Sequence, residues 1–309
     1  MKREKIRAVI LGHAVADALG VPVEFHSREC LDASPVTEMI GYGSHNVPAG
    51  SWSDDTSMVL AALDGFYDGE IDYDSIMQNL VAWIYEAKYT PTDVMFDVGG
   101  TCLSAIRNYA GGTPALMCGL KDSYSNGNGS LMRVHPFVLL CWLDKSKDLD
   151  DVVKKASSLT HAHERSVLGC KIYARVLLAL LNNPSKAAVR LALSEAREEL
   201  CDSPEYSHYE RLFESGFENL PRESIKSSGY VVDSLEAAVW CLLTTESYRD
   251  CALKAVNLGE DTDTVAAIAG GLAGALYGTK AIPEEWLGTL KRRGVIEALI
   301  EKAFAGLIE

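Results

Sequence analysis

The sequence predicts an all-α fold, a single multi-helix orthogonal bundle spanning residues 1–309, on three observations. Apolar residues recur with helical spacing along almost the whole chain, while the strict alternation of a half-buried strand is nearly absent. Helix breakers punctuate the pattern at Gly20, "DGEIDYD" (68–74), "TPTD" (90–93), "NNPS" (182–185) and "GTKAIP" (278–283). No fixed-period repeat, low-complexity tract or Pro/Gly/Ser-rich linker divides the chain.

Taken in order, the spacing predicts helices over 4–19, 54–68, 74–87, 93–109, 129–143, 148–159 and 163–182, then 185–200, 206–216, 232–244, 248–257, 262–277, 284–290 and 294–307. The stretches 54–68, 165–181 and 262–277 are apolar over most of their circumference, which places them in the middle of a large bundle. Residues 200–230, with "SPEYSHYE" and "NLPRESIKSSGY", are the most polar and are expected outside the core. One plausible strand, Gly229–Val232, is too short to seed a sheet.

Composition narrows the partners. Hydrophobic residues make up 48% of the chain and charged residues 23%, ordinary for a globular protein. With 29 basic and 43 acidic residues the formal net charge is −14, which repels nucleic-acid backbones and anionic membranes alike. The expected protein is therefore a monomer with neither partner, and any anionic ligand needs locally supplied positive charge. Eight cysteines are scattered singly, a pattern of thiols packed as small hydrophobes in a reducing compartment, without a zinc site. His13 and Asp17 interrupt the apolar start, so no signal peptide is read there. The later run "VAAIAGGLAGALYG" (265–278) is shorter than the roughly 20 residues of a membrane span. A cytoplasmic location is the expectation.

Two stretches carry chemistry. "GSWSDDTSM" (50–58) and "GEDTDTVAAIAGGLAGALYG" (259–278) each place carboxylates and hydroxyls directly before an apolar helix. Either alone reads as an N-cap with acids answering the helix dipole. Together they hold far more acid than two caps need, and four aspartates converging without cations are costly to bury. Divalent ions remove that cost, and an all-oxygen donor set favours magnesium, manganese or calcium over zinc. Gly270 and Gly274, four apart on one helical face, allow another helix to approach closely enough for the two starts to meet.

These two stretches resemble the signature metal motifs of the ADP-ribosylglycohydrolase family. "ILGHAVADALGVPVEF" (10–25), "FDVGGTCLSAI" (96–106), "SNGNGSLMRVHPF" (125–137) and "LTHAHERSVLG" (159–169) resemble its other motifs, in the same order. The resemblance runs from residue 10 to 278 and implies an all-α fold with two magnesium ions at its centre, manganese being a possible substitute. It implies Ser53, Asp54, Asp55, Asp261, Asp263 and Thr264 as metal ligands. Glu24 matches a glutamate that closes over the site, and either Glu24 or Asp55 is the expected general base. Asp97 matches an acid facing substrate, and His161 a residue of the site wall.

The loop "NGNGSLMR" (126–133) has its own physical argument, because Gly127 and Gly129 free backbone N–H groups at an expected helix start, a natural anion site. The resemblance sets this loop against the ribose and diphosphate of ADP-ribose, with Asn128, Gly129, Ser130 and Met132 as contacts. Arg133 is either a guanidinium for the same anion or one half of an ion pair. The H-x-H pair His161 and His163 lacks a third soft ligand, so packing or hydrogen bonding is its plainer role. The implied reaction is hydrolysis of the glycosidic bond at C1 of the ribose, with the ADP-ribose of a modified protein or small molecule as partner.

Two departures from the family pattern stand out. Ala16 replaces a Gly and touches no proposed ligand, while Gly100 stands where relatives often carry Asn, at the substrate rim. An isoprenoid synthase also sets Asp-rich helices around magnesium, but needs acids one turn apart, and after Asp55 no acid follows until Asp64. A catalytically inactive ADP-ribose-binding or structural protein on the same fold is the other alternative, distinguished by its failure to release ADP-ribose.

Overall fold

In the computed structural model, which describes residues 2–308, the longest apolar helix, α1 (Lys2–Gly20), runs through the middle of the molecule. By length and composition the segment Lys2–Val23 could cross a membrane, yet 94% of its most apolar stretch is buried inside the protein. It is a core helix. Around it follow α2 (Arg28–Ala33), α3 (Asp54–Asp64), α4 (Tyr73–Glu86), α5 (Gly100–Ala110), α6 (His135–Leu143) and α7 (Leu149–Ser158). The second half comprises α8 (Glu164–Asn182), α9 (Lys186–Glu199), α10 (Val231–Leu243), α11 (Tyr248–Val256), α12 (Thr262–Tyr277), α13 (Glu284–Thr289) and α14 (Arg293–Ala303). The all-α prediction holds, and the sole sheet among the described residues is a two-residue antiparallel ribbon, Phe66–Tyr67 with Glu70–Ile71.

Several expected helices are shorter than periodicity alone suggested, each for a local reason. The expected 93–109 helix begins only at Gly100, because Asp93 and Asp97 hold positive φ values of 60° and 54°. The expected 129–143 helix starts at His135, after turns that include a Met132 N–H donation to the Asn128 carbonyl. Past Asp64 the ribbon takes over from the expected 54–68 helix. The 206–216 stretch is a 3₁₀ helix, Tyr206–Phe213. At the expected strand, Tyr230 makes a single bridge to Gly127, and α10 begins one residue later.

The tightest packing joins α1 to α12. A Cβ added at Gly12 would lie 2.6 Å from the Gly270 carbonyl oxygen, and one at Gly274 would collide with the carbonyl of Ala8. Ala16 occupies this seam too, its methyl packed where a Cβ on Gly270 would have to go. Side chains are absent from one face of α12 because backbone sits there instead. The seam delivers the end of α1 to the start of α12, where the Thr262 hydroxyl donates to the Gly20 carbonyl at 2.8 Å.

The same end of α1 grips α3. Asp17, fully buried, accepts from the backbone N–H groups of Ser53 (2.9 Å) and Thr56 (3.0 Å), and from the Thr56 hydroxyl (2.5 Å). It thus satisfies donors that a helix start leaves without intrahelical partners. Because α1 fixes both helix starts, α1–α12 spacing should govern stability. Gly274→Ala is expected to cost about 1–3 kcal/mol by overpacking, read as a lower urea midpoint; an unchanged midpoint would refute the close seam.

Candidate active site

The starts of α3 and α12 meet under a cavity of about 340 Å³. Asp54, Asp55 and Asp263 are buried, and no Lys or Arg side chain bonds to them among the described residues. Ser53 Oγ lies 3.0 Å from both Asp17 Oδ1 and Asp55 Oδ2. The Thr264 hydroxyl donates to Asp55 Oδ2 across 3.1 Å, linking the two helix starts directly. On the far side Asn128 Nδ2 donates to Asp261 Oδ2 at 2.7 Å.

Carboxylate oxygens of Asp17, Asp55 and Asp263 lie within 4.8 Å of one another, as do those of Glu24, Asp261 and Asp263. Burial raises the pKa of Asp54, Asp55 and Asp263 well above the ordinary range, and the neighbouring acids push them further. Asp261 is raised as well, chiefly by burial, against the hydrogen bonds of Asn128 and Thr264. Two buried oxygens, Asp55 Oδ1 and Asp263 Oδ2, have no hydrogen-bond partner. Buried carboxylate oxygens without donors are costly, and an oxygen-only donor set is what a hard divalent cation takes. The residues fit a metal ion, and six of the expected ligand positions converge here.

Of the other expected site residues, Glu24, Asp97, Gly127, Asn128, Gly129, Met132 and His161 line the cavity together with Asp54, Asp261 and Thr264. Asp55 lies beneath it and does not line it. Ser130 and Arg133 depart from expectation. Ser130 Oγ accepts from Ser157 at 2.9 Å inside the core. Arg133 is 1% exposed and donates to the Ala156 carbonyl (3.1 Å) and Thr160 Oγ1 (2.7 Å), so it makes neither the anion contact nor the ion pair expected. Its guanidinium braces the turn behind the wall. His161 receives the Thr160 hydroxyl contact at 2.8 Å, and burial, then the Arg133 charge, holds its pKa down at about 3. It is a neutral wall residue.

The "NGNGS" loop does not open a helix, so its glycines serve a different end. A Cβ on Gly129 would lie 2.6 Å from Cys102 Sγ and 3.0 Å from His161 Cε1. Besides the starts of α3 and α12, the start of α5 faces the cavity, through Gly99, Gly100 and Thr101, with Gly229 adding further backbone. Added Cβ atoms at Gly99 and Gly100 meet nothing within 4 Å, so side chains there would project into open space.

Three residues escaped the sequence reading. In the sequence Asp17 stands out only as an interruption of an apolar run, although an acid amid "AVADALG" is itself a signal of a buried partner. His45, in "GYGSHNVPAG", contacts the Glu24 carboxylate through Nε2. Phe25, 69% exposed with φ 66°, stands at the cavity mouth. Burial raises Glu24 to about 7, opposed by the His45 hydrogen bond and reinforced by the charges of Asp97 and Asp261. The same hydrogen bond raises His45.

Helix-borne carboxylates and hydroxyls buried under an open cavity form a site whose oxygen donors suit a hard divalent cation. The chain belongs to the ADP-ribosylglycohydrolase family, whose model matches residues 1–309. It is 33% identical to an ADP-ribosylarginine hydrolase of Pseudomonas putida, over 97% of this chain and 78% of that one. Identity to the ADP-ribosyl-[dinitrogen reductase] glycohydrolase of Rhodospirillum rubrum is 31%, covering 98% and 97%. A solved structure described as an ADP-ribosylglycohydrolase-related protein complex superposes with a TM-score of 0.81 at 30% identity, covering 98% of each chain.

The buried acids imply a pH signature. Folded-state values of about 6 for Asp17 and about 7 for Glu24 stand above their ordinary 3.8 and 4.5. Their stabilising contribution is therefore complete below about pH 4 and lost as pH rises through 6–7. Buried neutral His13 and His161, at about 4 and 3, work in the opposite direction, losing stability as pH falls below 6.5. The histidine contribution is common to metal-free and metal-loaded protein, so it cancels in their difference. The rise in Tm produced by magnesium or manganese should accordingly widen from pH 5 to pH 8. A constant difference across that range would argue against cation binding at these carboxylates.

Proposed function

We propose that this chain hydrolyses the glycosidic bond between C1 of the ADP-ribose ribose and the guanidinium nitrogen of a modified arginine, using two magnesium ions or manganese in their place. The observation that carries the reading is the pair of carboxylate groups sharing Asp263, with two buried oxygens lacking partners. Divalent cations held by these residues would satisfy the bare oxygens. Asp55, Asp261 and Asp263 from those groups are proposed ligands with the neighbouring Ser53, Asp54 and Thr264, while Asp17 is engaged in capping α3 and Glu24 is kept for proton transfer. When bound, such cations neutralise the acidic cluster and acidify coordinated water.

The protein's own residues then divide the remaining work. Glycine backbone at 99–100, 127, 129 and 229 lets the ribose and diphosphate approach closely, and the positive end of the α5 dipole faces the same space. Glu24 lines the cavity and Asp55 does not, so Glu24 is the better placed of the two candidate bases. As the water oxygen bonds to C1 and the C1–N bond breaks, Glu24 takes the water proton and returns it to the departing nitrogen. Glu24 and Asp97, which are not proposed ligands, add carboxylates to the cavity lining, a surface that attracts a cationic guanidinium leaving group. The ADP-ribosylarginine hydrolase among the relatives supports that choice.

The test is metal-dependent release of ADP-ribose from proteins modified on arginine, compared with serine-linked and O-acetyl substrates. Asp54→Ala and Asp261→Ala should each lower the rate at least about 100-fold while leaving helix content intact, since each removes a charged ligand. Full activity in both variants would show the site to be elsewhere. Binding of ADP-ribose without turnover on any linkage would mark the chain as a binding protein.

A further inference from the structure

We infer that His45 is the positioning residue for Glu24, holding its carboxylate over the cavity in the orientation from which it handles the proton; the inference rests on the hydrolase reading above. Glu24 leaves the 3₁₀ turn Val21–Val23 with three acids nearby, Asp97, Asp261 and Asp263, and each repels its carboxylate. Among the described residues, the only side chain hydrogen-bonded to that carboxylate is His45, through Nε2. Without it, repulsion from the acids would turn Glu24 outward.

His45 is itself held from several directions. Its ring lies between Phe96 and Phe25, with centroids 5.2 Å and 6.0 Å away. The short turn that carries it, Gly43–His45, lies against the chain before Glu24: the Ser44 hydroxyl donates to the Glu24 carbonyl at 2.6 Å. Gly43, at φ 64°, has no room for a Cβ because the Pro22 backbone occupies that place. Asn46 closes the turn in the left-handed region, its N–H donating to the Gly43 carbonyl at 3.3 Å. Backbone is thus locked to backbone, and the His45 side chain adds the contact that fixes the Glu24 head group. His45 does not line the cavity, so it touches Glu24 and not the substrate. Its action runs through the acid.

The experiment compares wild type with His45→Leu, His45→Gln, Glu24→Gln and the double variant His45→Leu/Glu24→Gln, all in the full chain. With magnesium and a protein ADP-ribosylated on arginine, His45→Leu should lower kcat about 10- to 100-fold, the usual cost of losing a residue that orients a site group. KM should move less than about twofold, because substrate contacts persist. His45→Gln keeps an N–H donor at similar reach and should restore most of the loss. In the Glu24→Gln background His45→Leu should cost nothing further. A second readout needs no turnover: in the metal-free protein, Glu24→Gln should shift the ¹⁵N resonances of the His45 ring. Full kcat in His45→Leu, the same loss in both backgrounds, or an unmoved His45 signal would each overturn the inference. If the wild type released no ADP-ribose from any linkage, the hydrolase reading would fail, and the resonance shift alone would decide whether His45 holds Glu24.

Discussion

The site depends on one contact surface, the seam where α1 and α12 press backbone against backbone. Gly12, Gly270 and Gly274 remove the side chains that would hold the two helices apart. The last turn of α1 then reaches two places at once. Its Asp17 carboxylate caps α3 through two backbone N–H groups, and its Gly20 carbonyl accepts from Thr262 at the start of α12. Both helix starts are therefore referenced to a single rigid element. Residues about 200 positions apart in the chain come within hydrogen-bond distance as a result, as Asp55 and Thr264 do.

Such an arrangement works against stability in the absence of cations. Burial removes water from Asp54, Asp55 and Asp263, and the mutual repulsion of the acids adds to the cost. The Ser53 and Thr264 hydroxyls on Asp55, the Gly99 N–H on Asp54 and the Thr264 N–H on Asp263 offset part of it but leave two oxygens bare. A structure that keeps uncompensated carboxylates in its interior is built around a positive guest. A cation there would reverse the local field of a protein whose net charge is −14.

Above this floor the cavity combines glycine backbone with polar side chains. Glycines from the α5 start, the 127–129 loop and Gly229 bring main chain to its surface, while neutral His161 and Met132 complete the wall. Two non-glycine residues with positive φ, Phe25 and Asp97, also line it, and Glu260 shares that conformation beside Asp261. The Phe25 N–H donates to the Glu260 carbonyl at 2.7 Å, and the Glu260 N–H to the His26 carbonyl at 2.8 Å, so the conformations of Phe25 and Glu260 are held by a pairing between their segments. Arg28 reinforces it with bonds to the carbonyls of Leu258, Arg222 and Ile225.

What the sequence determined by itself was the helical architecture and the two acidic helix starts that the fold brings together. Helix spacing is local, and "SDDT" and "DTDT" announce an excess of acid that no single cap explains. Its errors lay where side-chain pattern and backbone conformation part company. "FDVGG" looks helical by periodicity, yet Asp97 turns the chain with a positive φ and hands the helix start to Gly100. Arg133 looks like an anion ligand by type, but its neighbours Ala156 and Thr160 supply every partner it finds. Only the tertiary structure decided that Asp17 caps α3, that the α5 start faces the cavity, and that His45 meets Glu24. Each of these joins residues that local spacing cannot relate, through an approach set by how closely the helices pack.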